Sequence, residues 1–184
     1  KKLYPVILIL TIYVVYQYRS QRSDTEKQNW QELHKHRKIV QGQTMGTTYS
    51  IVYYDSLSID LKSGIDSLLV RFNNKLSTYI PDSEVSIFNR NHFSDSISPE
   101  LRKVLVKSQE IFKISKGTFD PTIMPLVHLW GFGAHKSDTI PDTLSVYKTL
   151  EYTGLDKLQL SDSLYASDGM TLGFGAIAKG YGVD

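Results

Sequence analysis

No cysteine occurs among the 184 residues. This removes a disulfide framework, thiolate metal sites, a thiol nucleophile and the lipid-modified cysteine of a bacterial lipoprotein. Neither sign of charge is in excess: the formal net charge is +2 and is spread along the chain, so no basic stripe offers a nucleic-acid surface. Internal repeats and low-complexity blocks are also missing, and no small-residue cleavage site of the A-x-A kind follows the N-terminal apolar segment. What is present is a chain apolar in 41% of its positions, enough for one ordinary domain with a core.

The apolar residues are concentrated first in "LYPVILILTIYVVYQY", a run of 16 preceded by Lys1 and Lys2 and followed by Arg19 and Arg22. As a helix it spans roughly 24 Å, slightly less than the ~30 Å hydrocarbon core of a bilayer, with Tyr16 and Tyr18 suited to the interface. The expectation is an uncleaved membrane anchor over residues 1–18, with a cleaved signal peptide and a buried core element as alternatives. Either of the first two places the remainder outside the cytoplasmic membrane, facing the periplasm or the cell exterior. Residues 19–37 are polar and read as a solvated stalk, and a folded domain is expected over residues 38–184. His34 and His36 in "ELHKHRK" belong to a charged solvated face rather than to a metal pair.

Within that domain, "TMGTTYSIVYY" (44–54) is rich in residues that suit a pleated sheet and reads as a strand. Leu61, Ile65, Leu68, Leu69, Phe72 and Leu76 recur at spacings of three, four and seven, which predicts an amphipathic helix over 60–75. Ser98 as N-cap and Pro99 at the first helical position open a second helix, which stops before Gly117. A shorter helix runs from Thr143 to Tyr152 and ends at Gly154. "KLQLSDSLYAS" and "GMTLGF" read as short strands. The irregular alternation predicts an α+β fold, a mixed sheet with flanking helices.

Four segments are too rich in glycine, threonine and aspartate for simple core. In "GQTMGTTYS", Gly46 permits close backbone approach and Met45 offers a polarizable surface to a planar ring, the alternative being a strand entry with a bulge. In "LSTYIPDSEVSIFNR", Tyr79 is presented on a loop, where it stacks on a ring or packs a turn. In "SKGTFDPTIMPLVHLWGFG", the Asp120 carboxylate either accepts hydrogen bonds from a ligand or caps the next turn, and His128 reads as a core histidine rather than a catalytic one. The fourth, "LGFGAIAKGYGVD" (172–184), fits G-x-G-x-x-A, the pattern of a dinucleotide-binding turn. It fails the Walker A template at Lys179, and it lies late in the domain, where a Rossmann fingerprint usually opens one.

In order and spacing across residues 42–184, "TMGT", "LSTY.P.SE.S.FN", "GTFDPTI.PLV.LWGFG" and "GAIAKGY.VD" together resemble the ApbE family, the FAD:protein FMN transferases. The resemblance implies Mg2+-dependent cleavage of the FAD pyrophosphate, transfer of FMN to a threonine hydroxyl on an acceptor flavoprotein of a membrane redox complex, and release of AMP. It implies FAD contacts at Met45, Tyr79, Thr118, Phe119, Asp120, Gly175 and Tyr181, and the backbone carbonyl of Ala178 as one Mg2+ ligand; it names no catalytic nucleophile. Family members usually carry aspartate where Gly173 stands, and the family's remaining metal ligands lie beyond Asp184, so the expectation is an incomplete transferase domain. The alternatives are an FAD pyrophosphatase and a non-catalytic, membrane-tethered flavin-binding protein.

Overall fold

A computed structural model describes residues 4–57, 59–133 and 139–184. The chain divides into two compact units, residues up to Gly42 together with Tyr49–Lys62, and residues Gln43–Thr48 together with Ser63–Asp184.

The first unit contains helix α1 (Tyr4–Lys35) and most of a two-stranded sheet, β1 (Arg37–Thr44) and β2 (Thr47–Tyr54). The polar stretch expected to be a stalk is thus helical to Lys35. Its Gln, Glu, Lys and Arg content favours helix, and neighbours one turn apart support it: Arg22 pairs with Glu26 at 3.4 Å and Trp30 stacks on His34 at 5.4 Å. Among the described residues no helix is long and apolar enough to cross a membrane, so the expected anchor is not confirmed by the fold; Lys1 and Lys2 lie outside the described residues. Strand β1 was not anticipated from sequence, because "RKIVQGQT" is half polar. After β2, both Asp55 carboxylate oxygens accept backbone N–H groups, from Leu57 at 2.8 Å and Ile59 at 2.6 Å.

The second unit is built around α2 (Lys62–Leu76), α3 (Glu84–Asn91), β3 (Phe93–Ser94), α4 (Pro99–Ile114), α5 (Met124–Leu129), α6 (Thr143–Leu150), β4 (Gln159–Leu160), β5 (Leu164–Tyr165) and α7 (Ala178–Val183). The helix expected over 60–75 is α2, with Phe72 and Leu76 buried. Ser98 caps α4 as the sequence predicts: its side chain accepts the Leu101 N–H. Glu84 reaches the same cap, taking the Ser98 N–H at 2.6 Å while pairing with Lys75 at 3.2 Å, so one carboxylate ties α2 and α3 to the start of α4. The sheet is small and antiparallel, ordered β3-β5-β4.

The core gathers the inner faces of α2, α3 and α4 with Leu155, Leu158, Leu164, Met170, Leu172 and Phe174. Each such side chain contributes about 1.5–3 kcal/mol on burial. "GMTLGF" is not a strand; it makes only one parallel bridge, Thr171 to Ile123. The reason is a side chain in the strand partner's place: the Asn89 carboxamide takes both backbone groups of Leu172, accepting its N–H at 2.7 Å and donating to its carbonyl at 2.9 Å.

Candidate functional site

Met45 and Gly46 form the two-residue turn between β1 and β2, both at positive φ, +50° and +69°. This matches the twist a tight hairpin requires, and glycine meets it without strain, whereas methionine pays about 1 kcal/mol or more there. The turn is fastened to α2 by Asn73, whose Nδ2 donates to Thr44 Oγ1 at 3.0 Å. Met45 then leans on the core, and a Cβ placed on Gly182 would stand only 3.0 Å from its Cε, so the missing side chain lets α7 approach. On the same helix the Tyr181 ring packs against Phe72, centroids 5.5 Å apart. Met45, Ala178 and Tyr181, three of the residues singled out from sequence, each pack against the core, partly buried.

The loop after α4 is wired by its own side chains. Lys116 and Gly117 close the helix in the left-handed region, with the Gly117 N–H donating to the Phe112 carbonyl at 2.9 Å. Thr118 Oγ1 donates to the Ser115 carbonyl at 2.8 Å, and the Phe119 N–H donates to Ser115 Oγ at 3.1 Å. Asp120 Oδ1 accepts twice from Thr122, from its N–H at 2.8 Å and its hydroxyl at 2.7 Å. The Thr122 side chain is fully buried and in turn accepts the Gly154 N–H at 2.7 Å. Of the two readings of Asp120, turn capping is realised through one oxygen. Thr122 escaped the sequence reading, although an aspartate that bonds the residue two positions on is a recognisable signature.

Tyr79 stands 74% exposed at a cavity of about 260 Å³, whose wall includes Pro81, Asn89, Arg90, Met124, His128 and Thr171. His128 is thus not a core histidine; it is half-buried on α5 and faces this cavity. Arg90 Nη1 donates to the Pro81 carbonyl at 2.5 Å and holds the loop after Tyr79.

The glycine segment runs from this cavity to α7. Leu172 and Phe174 are buried, and the glycines between and after them differ sharply. A Cβ on Gly173 would lie 2.3 Å from Met124 Sδ and 2.4 Å from its Cγ, whereas one on Gly175 would meet nothing within 4 Å. Gly173 is thus explained by packing: Met124 already occupies its side-chain space. The Gly173 N–H donates to the Pro121 carbonyl at 2.8 Å, so the Asp120 turn and the glycine segment share one frame. Asn89, Met124 and Thr171 carried no local signal, since their roles arise from partners distant in sequence.

The donor set does not make a magnesium site. Among the described residues no three or more His, Cys, Asp or Glu side chains gather, and the Ala178 carbonyl would be one oxygen for an ion that takes about six.

Residues 45–184 match the ApbE family profile. The chain is 35% identical over 158 residues to the FAD:protein FMN transferase of Haemophilus influenzae, covering 78% of this chain and 46% of that protein. It is 34% identical over 152 residues to the protein of that name from Vibrio cholerae, with coverage of 78% and 46%. In structure it superposes on the Vibrio cholerae flavin transferase ApbE with a TM-score of 0.75, covering 80% of this chain and 51% of that one. The apo form of the Pseudomonas stutzeri flavinyl transferase gives the same TM-score at 29% identity, covering 80% and 50%. The chain thus spans about half the length of the curated relatives it matches.

Proposed function

The chain belongs to the ApbE family, and on that premise we propose that it carries the flavin-binding part of an FAD:protein FMN transferase. In the reaction a threonine hydroxyl of the acceptor flavoprotein forms a phosphoester bond to the FMN phosphorus, its proton is lost, the pyrophosphate P–O bond breaks and AMP leaves. The observation that carries the reading is the Pro121–Gly173 hydrogen bond with the Ile123–Thr171 bridge, which fixes the Thr118–Asp120 loop beside the open glycine at Gly175. A side-chain-free position next to a rigid polar turn suits close approach of a phosphate chain.

Met45, Tyr79, Thr118, Phe119, Asp120, Gly175 and Tyr181 are assigned to FAD. Positioning and charge neutralisation at phosphorus then supply the catalysis, with no protein nucleophile. The Mg2+ requirement is assigned to the whole enzyme, with the Ala178 carbonyl as one ligand and the others in the half of the family's length that this chain does not span. The N-terminal apolar run supports a membrane tether near an acceptor in a membrane redox complex, and the placement of the domain on the outer side rests on reading that run as a signal anchor.

The test is an FAD titration of the protein and of Tyr79→Ala and Asp120→Ala. Each substitution is expected to weaken binding about tenfold, the loss of one good contact; unchanged affinity in both removes the assigned site. Product analysis then separates the activities: AMP with a flavin-labelled acceptor threonine marks the transferase, AMP with free FMN the pyrophosphatase, and neither the binding protein.

A further inference from the structure

The Thr122 hydroxyl has one proton, and its surroundings decide where that proton goes. The Gly154 N–H can only donate, so Thr122 Oγ1 accepts it at 2.7 Å and gives its own proton to Asp120 Oδ1, also at 2.7 Å. The Thr122 N–H donates to the same oxygen at 2.8 Å. This arrangement has little room to relax: Thr122 is fully buried, and Gly154 stands at φ +119°, where a Cβ would lie 2.9 Å from Asp156 Oδ1. Pro121, between the two partners, has no N–H to compete for the carboxylate and disfavours helical backbone at Asp120. One residue therefore saturates Oδ1, since two donors fill its two lone pairs. Oδ2 differs: it has no partner among the described residues, and on the half-buried Asp120 it keeps accessible surface.

We propose that Thr122 is a positioning residue for FAD: by holding Oδ1 with two donors it orients the Asp120 carboxylate before the substrate arrives and leaves Oδ2 as the acceptor for one N–H or O–H group of FAD. The inference rests on the assignment of Asp120 to FAD above. The buried Thr122 side chain does not itself touch the substrate. Its effect passes through Asp120, by removing in advance the rotamer freedom that an untethered aspartate loses on binding.

The experiment is an FAD titration of the unsubstituted protein, Thr122→Val, Thr122→Ser, Asp120→Ala, Asp120→Asn and the double variant Thr122→Val with Asp120→Ala, each checked for folding by circular dichroism. Thr122→Val is expected to bind about fivefold more weakly, the cost of ordering one side chain, and Thr122→Ser, which retains the hydroxyl, to stay within about twofold. Asp120→Ala should lose about tenfold and the double variant no more than that, because without the carboxylate the hydroxyl has nothing to orient. Asp120→Asn should also lose about tenfold: the two Thr122 donors select the amide oxygen and leave Nδ2, a donor, where Oδ2 stood. Unchanged affinity of Thr122→Val overturns the inference, as do equal losses for Thr122→Val and Thr122→Ser. Losses that multiply to about fiftyfold in the double variant overturn it too, since they mark Thr122 as general structural support. Unsubstituted affinity in Asp120→Asn overturns it by showing an amide free to turn its oxygen to FAD; this variant leaves Thr122 intact and decides the matter by itself if Thr122→Val does not fold. If the unsubstituted protein does not bind FAD, or Asp120→Ala binds it as before, the assignment of Asp120 to FAD itself fails and the role of Thr122 falls with it.

Discussion

Between Ser115 and Thr122 the chain is held by its own oxygens, whereas between Thr171 and Ala178 it is held by burial of Leu172 and Phe174 with glycines interspersed. The first is a polar turn whose carboxylate is oriented before any ligand arrives. The second is an apolar anchor that presents bare backbone at Gly175. An oriented acceptor and cleared backbone space are different local devices, and the proposed flavin site draws on both through segments joined by the Pro121–Gly173 hydrogen bond.

The comparison breaks most severely at Phe174, which is 1% exposed. Phe174→Ala is expected to cost about 3–5 kcal/mol in denaturant unfolding, because the ring leaves a cavity in a packed core. A cost under about 1 kcal/mol would show that the glycine segment is not anchored through burial. Next is Thr122→Val, which removes the hydroxyl from Asp120 and takes the acceptor from the half-buried Gly154 N–H. It should cost about 1–3 kcal/mol and speed hydrogen exchange at Gly154; unaltered exchange there would contradict the relay.

Gly173→Ala should cost about 1–3 kcal/mol by forcing Met124 aside. In the double variant with Met124→Ala the penalties should sum to less than their parts, since the two positions compete for one space, and simple additivity would refute that competition. Gly175→Ala, by contrast, meets no atom and should alter stability by no more than about 0.5 kcal/mol while weakening FAD binding. That separation of stability from affinity sharpens the contrast between the two glycines.

The smallest effect concerns acid. Backbone and hydroxyl hydrogen bonds from Ser145 hold the Asp142 carboxyl below its ordinary value of 3.8. A depressed folded-state value means that the contribution to stability is present above the ordinary aspartate range and is lost as pH falls through the lower folded value. Asp142→Asn keeps an N-cap for α6 but removes the titration. Unfolding followed through that acid range should therefore be flatter for the variant, and identical curves would remove the effect.

Helices α2, α4 and α6 were legible in sequence because their signals are local: apolar spacing for α2, Ser98 and Pro99 for α4, and Gly154 after α6. The α3 helix is not evident in sequence although Ser83 caps it and accepts the Ser86 N–H, because the Pro81–Asp82 turn dominates that stretch. Helices α5 and α7 have six residues each, too few for a periodic pattern to show. Of the site, the residue types and their order were readable. Their assembly was not.

Local sequence determined the bounds of α2, α4 and α6 and the ApbE resemblance that the relatives bear out. Only the tertiary structure decided that Asn89 stands in for a strand beside Leu172, that Thr122 binds Gly154, that Met124 fills the space over Gly173, and that Thr171 and His128 share a cavity with Tyr79. Capping and periodicity act over three or four residues and leave a trace in a short window. The Asn89–Leu172 pair spans 83 residues and the Thr122–Gly154 pair 32, so each exists only once the packed core has brought its segments together.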